Sequence, residues 1–198
     1  MLISFSIEEH FQNAWKKFKE YSIFWISVSL FSVAIGSPAS SFSPPFMFLF
    51  TIISMYFSAA IVLMSINYMR GQLVTSNNLI SLDLQKFIHY LFVSILCGII
   101  VIIGTLCLIL PGIYLASRLM FAQYIVVDEA ISFDQAIMKS WKLTKGNEWN
   151  LIAFLFVTFL VFLIGFLALF VGLLVAIPIV SLATASLYLC FIEHSSKL

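Results

Sequence analysis

Charge is what this sequence has least of. Only 10% of its 198 residues are Asp, Glu, Lys or Arg, against about 25% in an ordinary soluble domain. A chain of this length can bury one core, but here too few polar residues remain to cover that core with a wet surface. Hydrophobic residues make up 62%, and the mean hydropathy is +1.09. With a net charge of +1 and no basic groove interleaved with aromatics, nucleic acid is not an expected partner. Cysteine is also scarce. Cys97, Cys107 and Cys190 each lie in an apolar run, no two of them at metal-ligand spacing, so they are expected to pack as small apolar residues. No Gly-rich phosphate loop, HExxH helix or Ser-His-Asp set can be recognised. Neither a cofactor nor an enzymatic activity is expected. A cleavable leader is not evident either, because the first apolar run follows a segment mixing Glu and Lys.

What the chain has in abundance is long apolar blocks. A helix that spans a bilayer needs about 20 apolar residues. The first block, Ser22 to Gly36, is short and Ser-rich, and the second is Phe46 to Met69. The third covers residues 87–127, interrupted only by His89 and Arg118, and the fourth covers residues 151–192 without a charge. Each of the last two holds about 40 residues. As one helix such a block would reach about 60 Å, twice the hydrocarbon thickness. Each is therefore read as two helices and a tight turn. The turns are placed at residues 104–112, around Pro111-Gly112, and at residues 172–178. The expected fold is all-α: a polytopic membrane bundle of about six transmembrane helices in a single domain over residues 1–198.

Six spans divide the polar segments between two sides. Residues 1–21, 70–86, 128–150 and 193–198 share one side. They hold Lys16, Lys17, Lys19, Arg70, Lys86, Lys139, Lys142, Lys145 and Lys197, which is every Lys and Arg except Arg118. The opposite side has the loop of residues 36–45 and the two turns, with none. The positive-inside rule puts the charged side, with both termini, in the cytosol.

Ser6, Ser81 and Ser132 are each followed by an apolar residue and an acid, and nine residues later by Trp15, Tyr90 and Trp141. This pattern predicts a divergent threefold repeat over residues 6–69, 81–127 and 132–192, each unit a cytosolic amphipathic helix followed by a hairpin. Ile7, Phe11, Ala14, Trp15 and Phe18 share one helical face, as do Phe133, Ala136, Ile137, Ser140 and Trp141. Ser6 with Glu9, and Ser132 with Gln135, fit capping boxes, and Gly146 fits a helix end. Such helices suit the membrane interface, with Trp15, Lys16, Lys17, Lys19, Lys139, Trp141, Lys142 and Lys145 as lipid contacts. The alternative is that they pack beneath the bundle as covers.

Within the spans, close helix approach needs small residues. Candidates are Ser22, Ser29, Ser32 and Gly36; Ser54 and Ser58; Ser94 and Gly98; Gly165, Ala168 and Gly172; and Ser181 and Ala185. The outlier is Arg118, ten residues before Asp128. An arginine at the centre of a span costs about 2.5–3.5 kcal/mol even on mild insertion scales, so it should face the bundle. Tyr114, Phe121, Ala122 and Ile125 share its face. No acid is expected at its depth. Its candidate partners are carbonyls near Pro111, Thr158, Thr184, Asn67 or a lipid phosphate. Three roles stay open: a structural lock, an anion or headgroup contact, and a gate in a path for an anionic solute. Glu8-Glu9-His10 is expected on a solvated face, because neighbouring helical positions diverge. His89 and Glu193-His194 are expected as polar anchors at the boundary.

Residues 110–129, LPGIYLASRLMFAQYIVVDE, and 132–149, SFDQAIMKSWKLTKGNEW, resemble a group of bacterial multi-spanning proteins. That group includes the membrane domain of glycerophosphoryl diester phosphodiesterases. The resemblance rests on Leu110-Pro111-Gly112, Arg118, Asp128-Glu129, Ala136, Ser140-Trp141 and Thr144-Lys145-Gly146, with Ala14-Trp15 and Phe18 similar to the start of those proteins. It implies an all-helical domain in a bacterial cytoplasmic (inner) membrane. It does not imply hydrolysis, which in those enzymes belongs to a separate soluble domain. The expected role is non-catalytic contact with membrane lipids, or with a protein partner or soluble domain encoded separately.

Overall fold

A computed structural model describes residues 3, 5–36, 44–73, 82–168 and 171–196. Most of these are helical, and none forms a strand. The helices are α1 (Ile7–Glu20), α2 (Ser22–Gly36), α3 (Pro44–Met69), α4 (Leu84–Cys107), α5 (Ile109–Leu119), α6 (Ala122–Glu129), α7 (Phe133–Leu143), α8 (Glu148–Leu167) and α9 (Val171–Ser196).

Among the described residues, five stretches are long and apolar enough to cross a membrane: Phe46–Met69, Leu84–Cys107, Ile109–Glu129, Glu148–Leu167 and Val171–Ser195. The expected sixth, α2, is a helix of 15 residues. At 1.5 Å per residue it reaches about 22 Å, short of the hydrocarbon thickness of about 30 Å. The surface of α4 makes the medium plain. Ile88, Phe92, Ile95, Ile99, Ile102 and Leu106 are all exposed. Their spacing of three and four draws one continuous stripe along the helix. Water would not tolerate such a stripe; lipid would.

The core lies where α6 and α9 meet. On α6, Ala122, Ile125, Val126 and Val127 are wholly buried. Consecutive burial of this kind leaves only Gln123, Asp128 and Glu129 of the helix partly exposed. Around it pack α3, α4 and α7. Tyr188 and Phe191 of α9 pack against the ring of Phe121 at 5.9 and 5.2 Å.

Two hairpins depend on glycine. A Cβ on Gly112 would sit 2.8 Å from the Thr105 backbone, and one on Gly172 would sit 2.6 Å from the Gly165 carbonyl. The α4–α5 turn falls at Leu108, as the Pro111-Gly112 signal implies, with Pro111 in the first turn of α5. There its missing N–H costs no hydrogen bond. The other turn lies earlier than residues 172–178: α8 ends at Leu167, α9 begins at Val171, and Pro178 is inside α9. Gly172 acts in helix contact rather than in the turn. Gly98, expected in a contact stripe, has nothing within 4 Å of where its Cβ would be. Its neighbour Ser94 meets Gln123 of α6 at 3.1 Å.

The two expected amphipathic helices are α1 and α7. Ser6 Oγ accepts the Glu9 N–H at 3.4 Å. The matching bond from Ser132 to the α7 backbone is absent, and the nearby Ser132 hydroxyl holds the Asp134 carboxyl below its usual range. Of the middle repeat, Ser81 lies outside the described residues, and Tyr90 sits within α4 rather than in a separate helix. Lys197 and residues 37–43 of the uncharged loop are also outside them. Helix α1 lays His10, Ala14 and Phe18 against the bundle, chiefly on α9. His10 is thus not on a solvated face. Its Nδ1 lies 2.8 Å from Ser186 Oγ, and burial lowers its pKa.

Candidate intramembrane polar site

The third candidate span is not one straight helix. It breaks at Met120–Phe121, between α5 and α6, without glycine or proline at the break. A helix end leaves carbonyls without intrahelical partners. One of them, on Arg118, accepts the Ser140 hydroxyl at 2.9 Å. The Thr144 hydroxyl lies 3.3 Å from the same oxygen, while its shortest contact, 2.8 Å, is to the Ser140 carbonyl. The final turns of α7 are thereby held against the end of α5.

The Arg118 side chain is 2% exposed, and both of its terminal nitrogens find partners at the same place. Nη1 pairs with Glu148 Oε1 at 2.9 Å. Nη2 donates to the Trp141 carbonyl at 2.6 Å. The guanidinium lies 4.6 Å over the Trp141 ring, a cation–π contact strengthened by desolvation. Tyr114, on the same side of α5, meets Trp141 edge-on at 6.3 Å. Glu148 Oε1 also accepts the Gly146 N–H at 3.0 Å. Gly146 has φ of 90°, a value that favours glycine, and it turns the chain from α7 into α8. Arg118 Nε is buried without a hydrogen-bond partner.

This corrects the expected environment of Arg118. Its protein partner is an acid, Glu148 at the head of α8, and not a carbonyl near Pro111, Thr158, Thr184 or Asn67. Helix counting missed it because the break in the span and the length of the Arg side chain bring residue 118 to the α7–α8 connection. The sequence did single out most of the participants, as Arg118, Ser140-Trp141 and Thr144-Lys145-Gly146, but not their mutual contact.

A second ionic cluster went unread. Arg70, just past α3, makes a fork to Asp128 at 2.5 and 2.6 Å. Tyr188 of α9 donates to the same carboxylate at 2.9 Å. Lys86 donates to the Val127 carbonyl at 3.0 Å. The end of α6 is thus tied to α3, α4 and α9.

The remaining candidate residues divide by whether they are engaged. Lys139 is paired with Glu129 at 2.5 Å. Lys17 is 3.5 Å from Glu20 and lies over the Tyr68 ring. Lys16, Lys19, Lys142 and Lys145 are exposed, with Lys19 loosely over Trp15 at 5.9 Å. Trp15 is 46% and Trp141 39% exposed. An apolar cleft of about 570 Å³ runs between α5 and α8, lined by Leu110, Pro111, Tyr114, Trp149 and Ile152, with Glu148 at its edge. No group of three or more His, Cys, Asp and Glu suited to a metal occurs among the described residues.

A family model described as the membrane domain of glycerophosphoryl diester phosphodiesterase matches residues 71–193. That is more than half of the chain, and it includes Arg118, the whole of α7 and Glu148. No curated protein and no solved structure matches the chain.

Proposed function

The chain belongs to the family of the membrane domain of glycerophosphoryl diester phosphodiesterase, and from that premise we propose that it is a non-catalytic integral membrane module contacting lipid at its charged end. One observation carries the reading. The unpaired, exposed lysines Lys16, Lys19, Lys142 and Lys145 lie on α1 and at the end of α7, the two helices that also present Trp15 and Trp141 to the surroundings. Basic residues beside half-exposed tryptophans match a headgroup layer, where indole sits at the interface and each Lys near anionic lipid is worth about 1 kcal/mol. We infer that this end faces the cytosol from the lysine distribution, and that the membrane is a bacterial inner membrane from the family resemblance.

A quadruple variant, K16Q/K19Q/K142Q/K145Q, tests the reading. Purified with native lipids, the wild type should carry an excess of anionic lipid that the variant loses while keeping its melting temperature. No enrichment in the wild type would end the proposal.

The family's description, a membrane domain of a phosphodiesterase, supports a second reading in which the same end receives a separately encoded soluble protein. A path for an anionic solute draws less support, since the guanidinium of Arg118 is enclosed and paired. Flux of anionic solutes in liposomes is expected to be the same for Arg118→Gln as for the wild type.

A further inference from the structure

At the charged end, the connection after α7 and the last turns of α9 enclose a small pocket of about 110 Å³. Lys142 and Lys145, from the end of α7 and the connection after it, line it together with His194 and Ser195 of α9. Ile3, Leu143 and Phe191 complete the lining, which includes no carboxylate among the described residues. The pocket is held in shape by its own bonds. The Ile3 N–H donates to Asn147 Oδ1 at 2.9 Å. His194 Nδ1 donates to the Cys190 carbonyl at 2.8 Å, which orients the imidazole. The Phe191 ring is fully buried.

The cations elsewhere in the described residues are mostly occupied. Lys17, Arg70, Arg118 and Lys139 are in ion pairs, and Lys86 is on a carbonyl. Lys142 and Lys145 are not in an ion pair among the described residues, yet they converge on one concavity of definite size. His194 and Ser195, which carry an imidazole and a hydroxyl, share the same lining. Two ammonium groups, a hydroxyl and an imidazole around a small space suit a compact anion with several acceptor oxygens.

We propose that this pocket binds a phosphate group, carried either on a lipid headgroup or by a free phosphate. It rests on the lipid-contact reading above and gives that reading one address. The full chain in phosphate-free micelles is titrated with dioctanoyl phosphatidic acid, dioctanoyl phosphatidylcholine or inorganic phosphate, and the melting temperature is followed. Phosphatidic acid should raise it in the wild type, and phosphatidylcholine should not. K142Q/K145Q should need at least about tenfold more ligand for the same rise, as expected on losing charge-assisted bonds, and K142R/K145R should restore it. A response to inorganic phosphate equal to that to phosphatidic acid assigns the site to free phosphate; a response to the lipid alone assigns it to a headgroup. If K142Q/K145Q responds like the wild type while K16Q/K19Q does not, this pocket is wrong and lipid contact through α1 stands. If the wild type responds to none of the three, both ideas fall.

Discussion

Arg118 has its charge balanced at Glu148, and that placement decides what its removal does. Breaking one side of a buried ion pair leaves the other charge uncompensated, at about 3–5 kcal/mol. Glu148 keeps a side-chain exposure of 23%, so Arg118→Gln should cost about 3 kcal/mol, the low end. Arg118→Lys should recover little, because one ammonium cannot serve the carboxylate and the Trp141 carbonyl as a fork does. Denaturation in mixed micelles measures both, and a double-mutant cycle with Glu148→Gln should show strong non-additivity. His10 is the second informative residue. Burial on α9 lowers its pKa, so the unfolded chain binds the proton more readily than the folded one. Its contribution is complete above about pH 6.5 and is lost as pH falls through the lower folded value. Amide protection in α1, measured relative to the intrinsic exchange rate at each pH, should therefore fall between pH 7 and pH 5, and His10→Asn should flatten that dependence. Arg118 was conspicuous in the sequence because charge is rare in an apolar run. Its acid was not, because it lies 30 residues away, at the head of a different helix, and no local pattern links the two.

Among the helices, the hairpins separate what spacing reveals from what it hides. Pro111-Gly112 announced the α4–α5 turn because proline and glycine have few other uses there. Gly172 and Pro178 look alike on paper but serve helix contact and a helix interior. The break at Met120–Phe121 had no signal, since neither glycine nor proline stands there; Phe121 at the break packs on Tyr188 and Phe191 of α9. Gly112→Ala would drive a Cβ to 2.8 Å from backbone atoms of Thr105. The hairpin must part, at a cost of about 1–3 kcal/mol. Gly98→Ala meets open space and should instead gain about 0.5–1 kcal/mol from helix propensity. Thermal unfolding of the two alanine variants, side by side, checks the contrast. Asp128→Asn should loosen three helices together, seen as faster exchange at the ends of α3, α6 and α9.

For the molecule as a whole, composition was enough to name the solvent, because it depends on a sum over many residues and survives local surprises such as a broken span or a 15-residue α2. The lysine count gives an expectation for which loops face the cytosol, and that expectation depends on whether α2 crosses. Sidedness has a direct check. Lys145→Cys, in a background with Cys107 and Cys190 replaced by Ser, should resist an impermeant maleimide in intact cells and react in inverted vesicles. The enclosed position of α6 bears on biogenesis. Its walls come from segments made both before and after it on the ribosome, and Tyr188 and Phe191 emerge some sixty residues later. While synthesis continues, α3 and α4 cover one part of α6, and the part that meets the later helices has nothing yet to bury it. Assembly of the centre therefore waits for the last helix to arrive, and a stalled nascent chain lacking α9 should be held by insertion chaperones or degraded.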